Sequence, residues 1–100
     1  MTINRIEEEG KLTLQLEGWL DVETVGTMKE AMAEKEIPAE LIFDFGKLEY
    51  IASLGIREIV AAYKKQKGAG GTFKIINVQP DILSIFKMTG LDKKLDIAGA

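Results

Sequence analysis

ELIFDFGKLEYIASLGIREIVAAYKKQK, residues 40–67, is the stretch whose reading decides the fold. It opens on a nearly unbroken apolar run, residues 41–45, and crosses a short connection through Gly46 and Tyr50. A helical pattern starts at Ser53: Ile56, Ile59, Val60 and Tyr63 recur at i, i+3, i+4 and i+7. Arg57, Glu58, Lys64 and Lys65 fall on the opposite side. A strand without polar alternation belongs inside a sheet covered on both faces. Ser53 then lies at the rim of that sheet, at a helix N-terminus. There its hydroxyl oxygen is placed to accept from free backbone N–H groups.

Outward from this unit, the chain reads as alternating strands and helices. Residues 2–8 form a weak strand with Ile3 and Ile6, and Glu9-Gly10 makes a tight turn. Residues 11–20 alternate cleanly: Leu12, Leu14, Leu16 and Leu20 share one parity, while Thr13, Gln15, Glu17 and Trp19 share the other. Gly18 is a candidate bulge. Asp21 is placed to cap a helix whose stripe is Val25, Met28, Ala31 and Met32, ending near Lys35, and Pro38 fits the connection that follows. After the central helix, residues 68–71 (GAGG) act as a stop, and residues 72–78 form a strand with Phe73 and Ile75 on one side. Pro80 opens a third helix whose inner face is Ile82, Ile85, Phe86 and Thr89, ended by Gly90. Leu95 and Ile97 are candidates for a last edge strand. The order ββαβαβα(β) predicts one α/β domain over residues 1–100. It has a mixed central sheet of four to five strands with helices packed against it.

Composition narrows the function. The formal charge is −3, against the basic face that nucleic-acid binding needs. There is no cysteine, so neither disulfides nor thiol chemistry, and no histidine, the usual base and commonest metal ligand. No apolar run approaches the ~20 residues of a membrane span, and the N-terminus has no signal-peptide pattern, so a cytosolic protein is expected. The GAGG segment lacks the Lys-Ser/Thr of a phosphate-binding loop and follows a helix rather than a strand. Glu7, Glu8 and Glu9 read as solvated charge, and Lys64, Lys65 and Lys67 as a helix end complementing its dipole. No cofactor and no metal ligand set is expected, and without histidine or cysteine little supports a catalytic reading.

Three segments carry a family resemblance: LEGWLD at 16–21, LIFDFGKLEYIASLGIREI at 41–59, and GGTFKIINVQPDILSIFKMTGLDKKLDI at 70–97. Together they resemble the STAS domain of the bacterial anti-sigma factor antagonists, over nearly the whole chain. Gly18-Trp19-Leu20-Asp21 matches the family's Gly-x-Leu-Asp stretch, and Met88-Thr89-Gly90-Leu91 its late helix end. Ser53 aligns with the family's phosphoacceptor serine and Gly55 with its glycine. Ala52 stands where the family has an aspartate.

The resemblance implies a partner-switching module that catalyses nothing itself. It would bind an anti-sigma factor, a serine kinase of the GHKL type, and so release a sigma factor. Phosphorylation of Ser53 would reverse binding, and a PP2C-type phosphatase would restore it. The partner-binding residues so implied are Trp19, Asp21, Ile51, Ala52, Leu54 and Gly55. For Ile51 and Leu54 a core position is an equal reading; Trp19 has outward parity. Two alternatives stay open. One is an unphosphorylated STAS subunit of an ABC-type transporter or a stressosome-like scaffold. The other is a weak nucleotide-binding or hydrolysing protein, with Asp21 and Ser53 facing one pocket.

Overall fold

A computed structural model describes residues 1–32 and 38–99. Five strands lie side by side in chain order: β1 (Thr2–Glu8), β2 (Lys11–Leu20), β3 (Glu40–Ile51), β4 (Thr72–Val78) and β5 (Ile97–Gly99). β1 and β2 form an antiparallel hairpin through the Glu9-Gly10 turn, with Glu8 opposite Lys11. The other neighbours pair in parallel. Three helices make the parallel crossovers: α1 (Val25–Met32), α2 (Ser53–Gly68) and α3 (Pro80–Met88). The far end of the predicted first helix, near Lys35, lies outside the described residues.

Each crossover steps one strand in the same direction across the sheet. With the right-handed sense such units take, all three helices fall on one face. The core shows the same thing by parity. Leu12, Leu14 and Leu16 of β2, Leu41, Phe43 and Phe45 of β3, and Phe73 and Ile75 of β4 pack with Met28, Ile59, Ile82 and Phe86 of the helices. Even the polar edge strand agrees: Arg5, opposite Leu14, donates from Nε to the Ala31 carbonyl of α1 at 2.9 Å. On the other face stand Thr13, Gln15, Asp44 and Lys74, half-buried among one another. The expectation of a sheet covered on both sides is therefore corrected for the described residues. Residues 41–45 are central and Ile42 is buried, but by strand neighbours and not by a helix.

β3 also runs further than its apolar stretch predicts. It continues as one strand to Ile51, with Leu48 and Ile51 buried. The pairing with β4 ends at Asp44–Ile76, and the pairing with β2 goes on, with register shifts, to Leu20–Ile51. A polar clamp holds the divergence. The Gly46 N–H and the Asn77 side-chain amide both donate to Asp44 Oδ1, at 2.9 and 3.2 Å. Gln15 donates to Asp44 Oδ2 at 3.3 Å, and Gln79 to the Gly46 carbonyl at 2.9 Å.

Three smaller details depart from the sequence reading. Thr89 does not face inward; it is exposed, and its hydroxyl donates to the carbonyls of Ile85 and Phe86, both at 3.0 Å, closing the last turn of α3. The final edge strand is Ile97–Gly99, preceded by a 3-10 turn at Leu91–Lys93, and Leu95 serves the core instead. Along α2 the buried line is Gly55, Ile59, Ala62 and Gln66, while Ile56, Val60 and Tyr63 are half-buried. Two of the four, Gly55 and Ala62, are small, and at Gly55 the helix backbone comes close against Leu20.

Candidate functional site

The rim where β2 and β3 end and α2 begins is built by local rules. Gly18 has φ +104°, a left-handed conformation that glycine adopts without penalty, and the pairing register shifts between Gly18 and Trp19. The bulge leaves Trp19 outward while Leu20 returns to the core. The chain then turns through Asp21. Asp21 Oδ1 accepts from the Glu23 N–H at 3.0 Å and from the Thr24 hydroxyl at 3.2 Å, and Thr24 Oγ1 accepts from the Asp21 N–H at 2.9 Å. Thr24 also donates to the Trp19 carbonyl at 2.7 Å. Asp21 thus organises a turn over residues 21–24, and α1 begins after it at Val25.

On the neighbouring strand, the Ala52 N–H donates to the Leu20 carbonyl at 2.9 Å, tying the start of α2 to the end of β2. Ala52, extended at φ −88° and ψ 167°, is the N-cap of α2, and no side chain caps it. Ser53 is the first helical residue rather than the cap, which corrects the expected capping role. Its side chain is exposed. The first bond of the helix runs from the Ile56 N–H to the Ala52 carbonyl at 3.0 Å, so the N–H groups of the opening turn have no intrahelical partner. No acidic residue sits in that turn, so its positive end is uncompensated from within.

The residues singled out from the sequence divide into two groups. Ser53 and Trp19 face solvent, Asp21 and Ala52 are half-buried, and Leu54 is half-buried against the core. Ile51 and Gly55 are buried. A Cβ on Gly55 would stand 2.8 Å from the Leu20 carbonyl oxygen and 2.9 Å from Leu20 Cγ, so glycine is what lets α2 start where it does. Gly55 and Ile51 can shape the rim but offer it no side-chain surface.

One residue escaped the sequence reading. Tyr50 is exposed beside Trp19, with ring centroids 5.6 Å apart and planes tilted by 59°. A strand that ends at Phe45 puts Tyr50 in a connection. The spacing of Leu48 and Ile51, both apolar and three apart, is the signal that strand pairing continued irregularly through it. Among the described residues no cluster of groups could hold a metal ion, and no helix is long and apolar enough to cross a membrane.

Comparison with known proteins agrees with this architecture. The family model for the STAS domain matches residues 2–99. The anti-sigma-B factor antagonist of Bacillus subtilis is 26% identical over 93 residues, covering 92% of this chain and 85% of that protein. Among solved structures, an anti-sigma factor antagonist from Mycobacterium paratuberculosis superposes with a TM-score of 0.86 at 23% identity, covering 99% of this chain and 86% of the other. The anti-sigma factor antagonist SpoIIAA, in its unphosphorylated form, superposes with a TM-score of 0.71 at 15% identity, covering 99% and 89%.

Proposed function

Because the chain belongs to the STAS-domain family, we propose that it is an anti-sigma factor antagonist whose binding is switched at Ser53. It takes an anti-sigma factor of the GHKL serine-kinase type onto the rim and so frees a sigma factor. Phosphorylation of Ser53 by that kinase ends the interaction, and a PP2C-type phosphatase renews it. The protein needs no cofactor for this; ATP is bound by the kinase. The observation that carries the reading is an exposed serine as the first residue of a 16-residue helix.

The physical sense is direct. A phosphate on Ser53 would meet unpaired N–H groups and the positive end of the helix, so the fold tolerates it. Its charge of about −1.5 to −2 would instead alter the surface offered to a partner. Where that surface is partly apolar, as around Leu54 and Trp19, a charge must lose water to be covered, and binding weakens. Ala52 gives specific weight to a second reading. Without a carboxylate beside the hydroxyl, the rim suits an unphosphorylated STAS subunit of a transporter or scaffold equally in kind.

The test is to incubate the protein with candidate GHKL-type kinases of its own genome and ATP, map phosphosites by mass spectrometry, and measure affinity by calorimetry. Phosphate is expected on Ser53, with Ser53→Asp binding at least tenfold more weakly than the parent, or ~1.4 kcal/mol. An unmodified Ser53, together with equal affinity for Ser53→Asp, would hand the protein to the second reading.

A further inference from the structure

All four phenylalanines are buried or pack in the aromatic core, where Phe43 touches Phe45 and Phe73, and Phe45 touches Phe86. Trp19 and Tyr50 behave otherwise. They lie opposite each other on paired strands, and 56% of Trp19 and 49% of Tyr50 remain open to water. As a tilted cross-strand pair the two rings steady the strand ends, but the large aromatic surface they leave open is burial energy that the fold does not use and a partner can. Val22, also exposed, follows three residues after Trp19. Three of the exposed large apolar side chains among the described residues thus come from the ends of β2 and β3 and the turn between β2 and α1.

Carboxylates outnumber cations around the pair. Residues 17–28 hold Glu17, Asp21 and Glu23 and no lysine or arginine. Asp21 is engaged in its own turn, but Glu17 and Glu23 are exposed, and so is Glu49 next to Tyr50. Lys47, opposite Glu17 in the strand register, is the basic residue of this part of β3. An electron-rich ring face on strands that also carry exposed carboxylates attracts a cation. A guanidinium fits better than an ammonium, because its flat face stacks on a ring while its edge N–H groups reach carboxylates.

We propose that Trp19 and Tyr50 form an aromatic platform that, with Glu17 and Glu49, takes an arginine side chain projecting from an apolar segment of the protein partner. This rests on the partner-binding reading of the rim and deepens it. The platform supplies affinity and register, whereas Ser53 supplies the switch. Trp19 is the chain's only tryptophan, so its fluorescence reports on the platform alone.

The experiment uses the whole protein and two synthetic peptides, one alternating arginine with leucine and one with citrulline, the neutral isostere, at each arginine. Trp19 emission and calorimetry are followed at several salt concentrations. The arginine peptide is expected to shift Trp19 emission and to bind at least tenfold more tightly than the citrulline peptide. Tyr50→Ala and Trp19→Leu should each weaken it at least fivefold, with only a small drop in the thermal melt from the lost cross-strand pair. The doubly substituted Glu17→Gln, Glu49→Gln protein should bind more weakly, with a flatter salt dependence. Ser53→Asp should not weaken the peptide, which separates a failure of the platform from a failure of the phosphorylation switch. Equal affinity for both peptides, no measurable binding, or binding that leaves Trp19 emission unchanged would overturn the proposal.

Discussion

At the scale of single residues, the rim is governed by atoms that are missing as much as by those present. Gly55→Ala would push a methyl against the Leu20 carbonyl and side chain. An overpacking cost of about 1–3 kcal/mol is expected in urea unfolding. Ser53 gives the opposite expectation. Since its hydroxyl does not cap α2, Ser53→Ala should change stability by no more than ~0.5 kcal/mol in the same assay. From the sequence alone a capping loss near ~1 kcal/mol would be expected, because a serine before a helical stripe reads as a cap. The difference is one residue of helix start, decided by the bond from the Ala52 N–H to Leu20, a tertiary contact that no local pattern encodes. Trp19 was legible by parity, and Tyr50 was not, because its exposure follows from bulged pairing rather than alternation.

At the scale of elements, helix faces were legible where bulk marks them. In α3, Ile82 and Phe86 are buried as the stripe predicts. In α2 the predicted face is rotated, because its closest contacts are Gly55 and Ala62, which carry little hydropathy, and Gln66, which is buried with its amide donating to the Pro38 carbonyl at 2.7 Å. Ile59 belongs to both descriptions. Ile59→Ala should therefore cost ~2–5 kcal/mol and Phe86→Ala ~3–5 kcal/mol in denaturant melts, through lost burial and the cavity left behind. Strand β3 carries its own device in Asp44, whose carboxylate accepts from Gly46, Asn77 and Gln15. Asp44→Ala should cost ~1–3 kcal/mol, and faster hydrogen exchange at the Gly46 amide than in the parent would locate the loss in the clamp.

For the whole molecule, the one-sided placement of the helices decides which half of the sheet holds the fold together. Phe43 and Ile42 are neighbours in the central strand, and both are buried. Only Phe43 reaches the helix-covered core, where it meets Phe45 and Phe73. Phe43→Ala should cost ~3–5 kcal/mol, whereas Ile42→Ala should fall at or below ~2 kcal/mol, at the low end for such truncations, because its surroundings are polar strand side chains that water can rejoin. Comparing the two by urea unfolding checks the layer arrangement directly. A continuous apolar run cannot announce this asymmetry. In residues 41–45 its only trace is Asp44, which shares the parity of Ile42, while Leu41, Phe43 and Phe45 share the other; the direction in which successive strands are added is what places all the helices together.

That direction of growth bears on how the chain acquires its structure. Strand order in space equals strand order in sequence. No hydrogen-bonded strand pair waits for a segment made later to slip between earlier ones. Each loop closed is one hairpin or one strand–helix–strand step, so closure entropy stays small at every stage. A polypeptide leaving the ribosome can therefore lay down β1 and β2 and then extend the sheet one crossover at a time, with β1 at one edge and the newest strand at the other. The last helix seals Phe45 with Phe86. Free chains truncated after residue 78 should already protect β2 and β3 amides from exchange, and in the complete chain protection along β4 against β5 should come last.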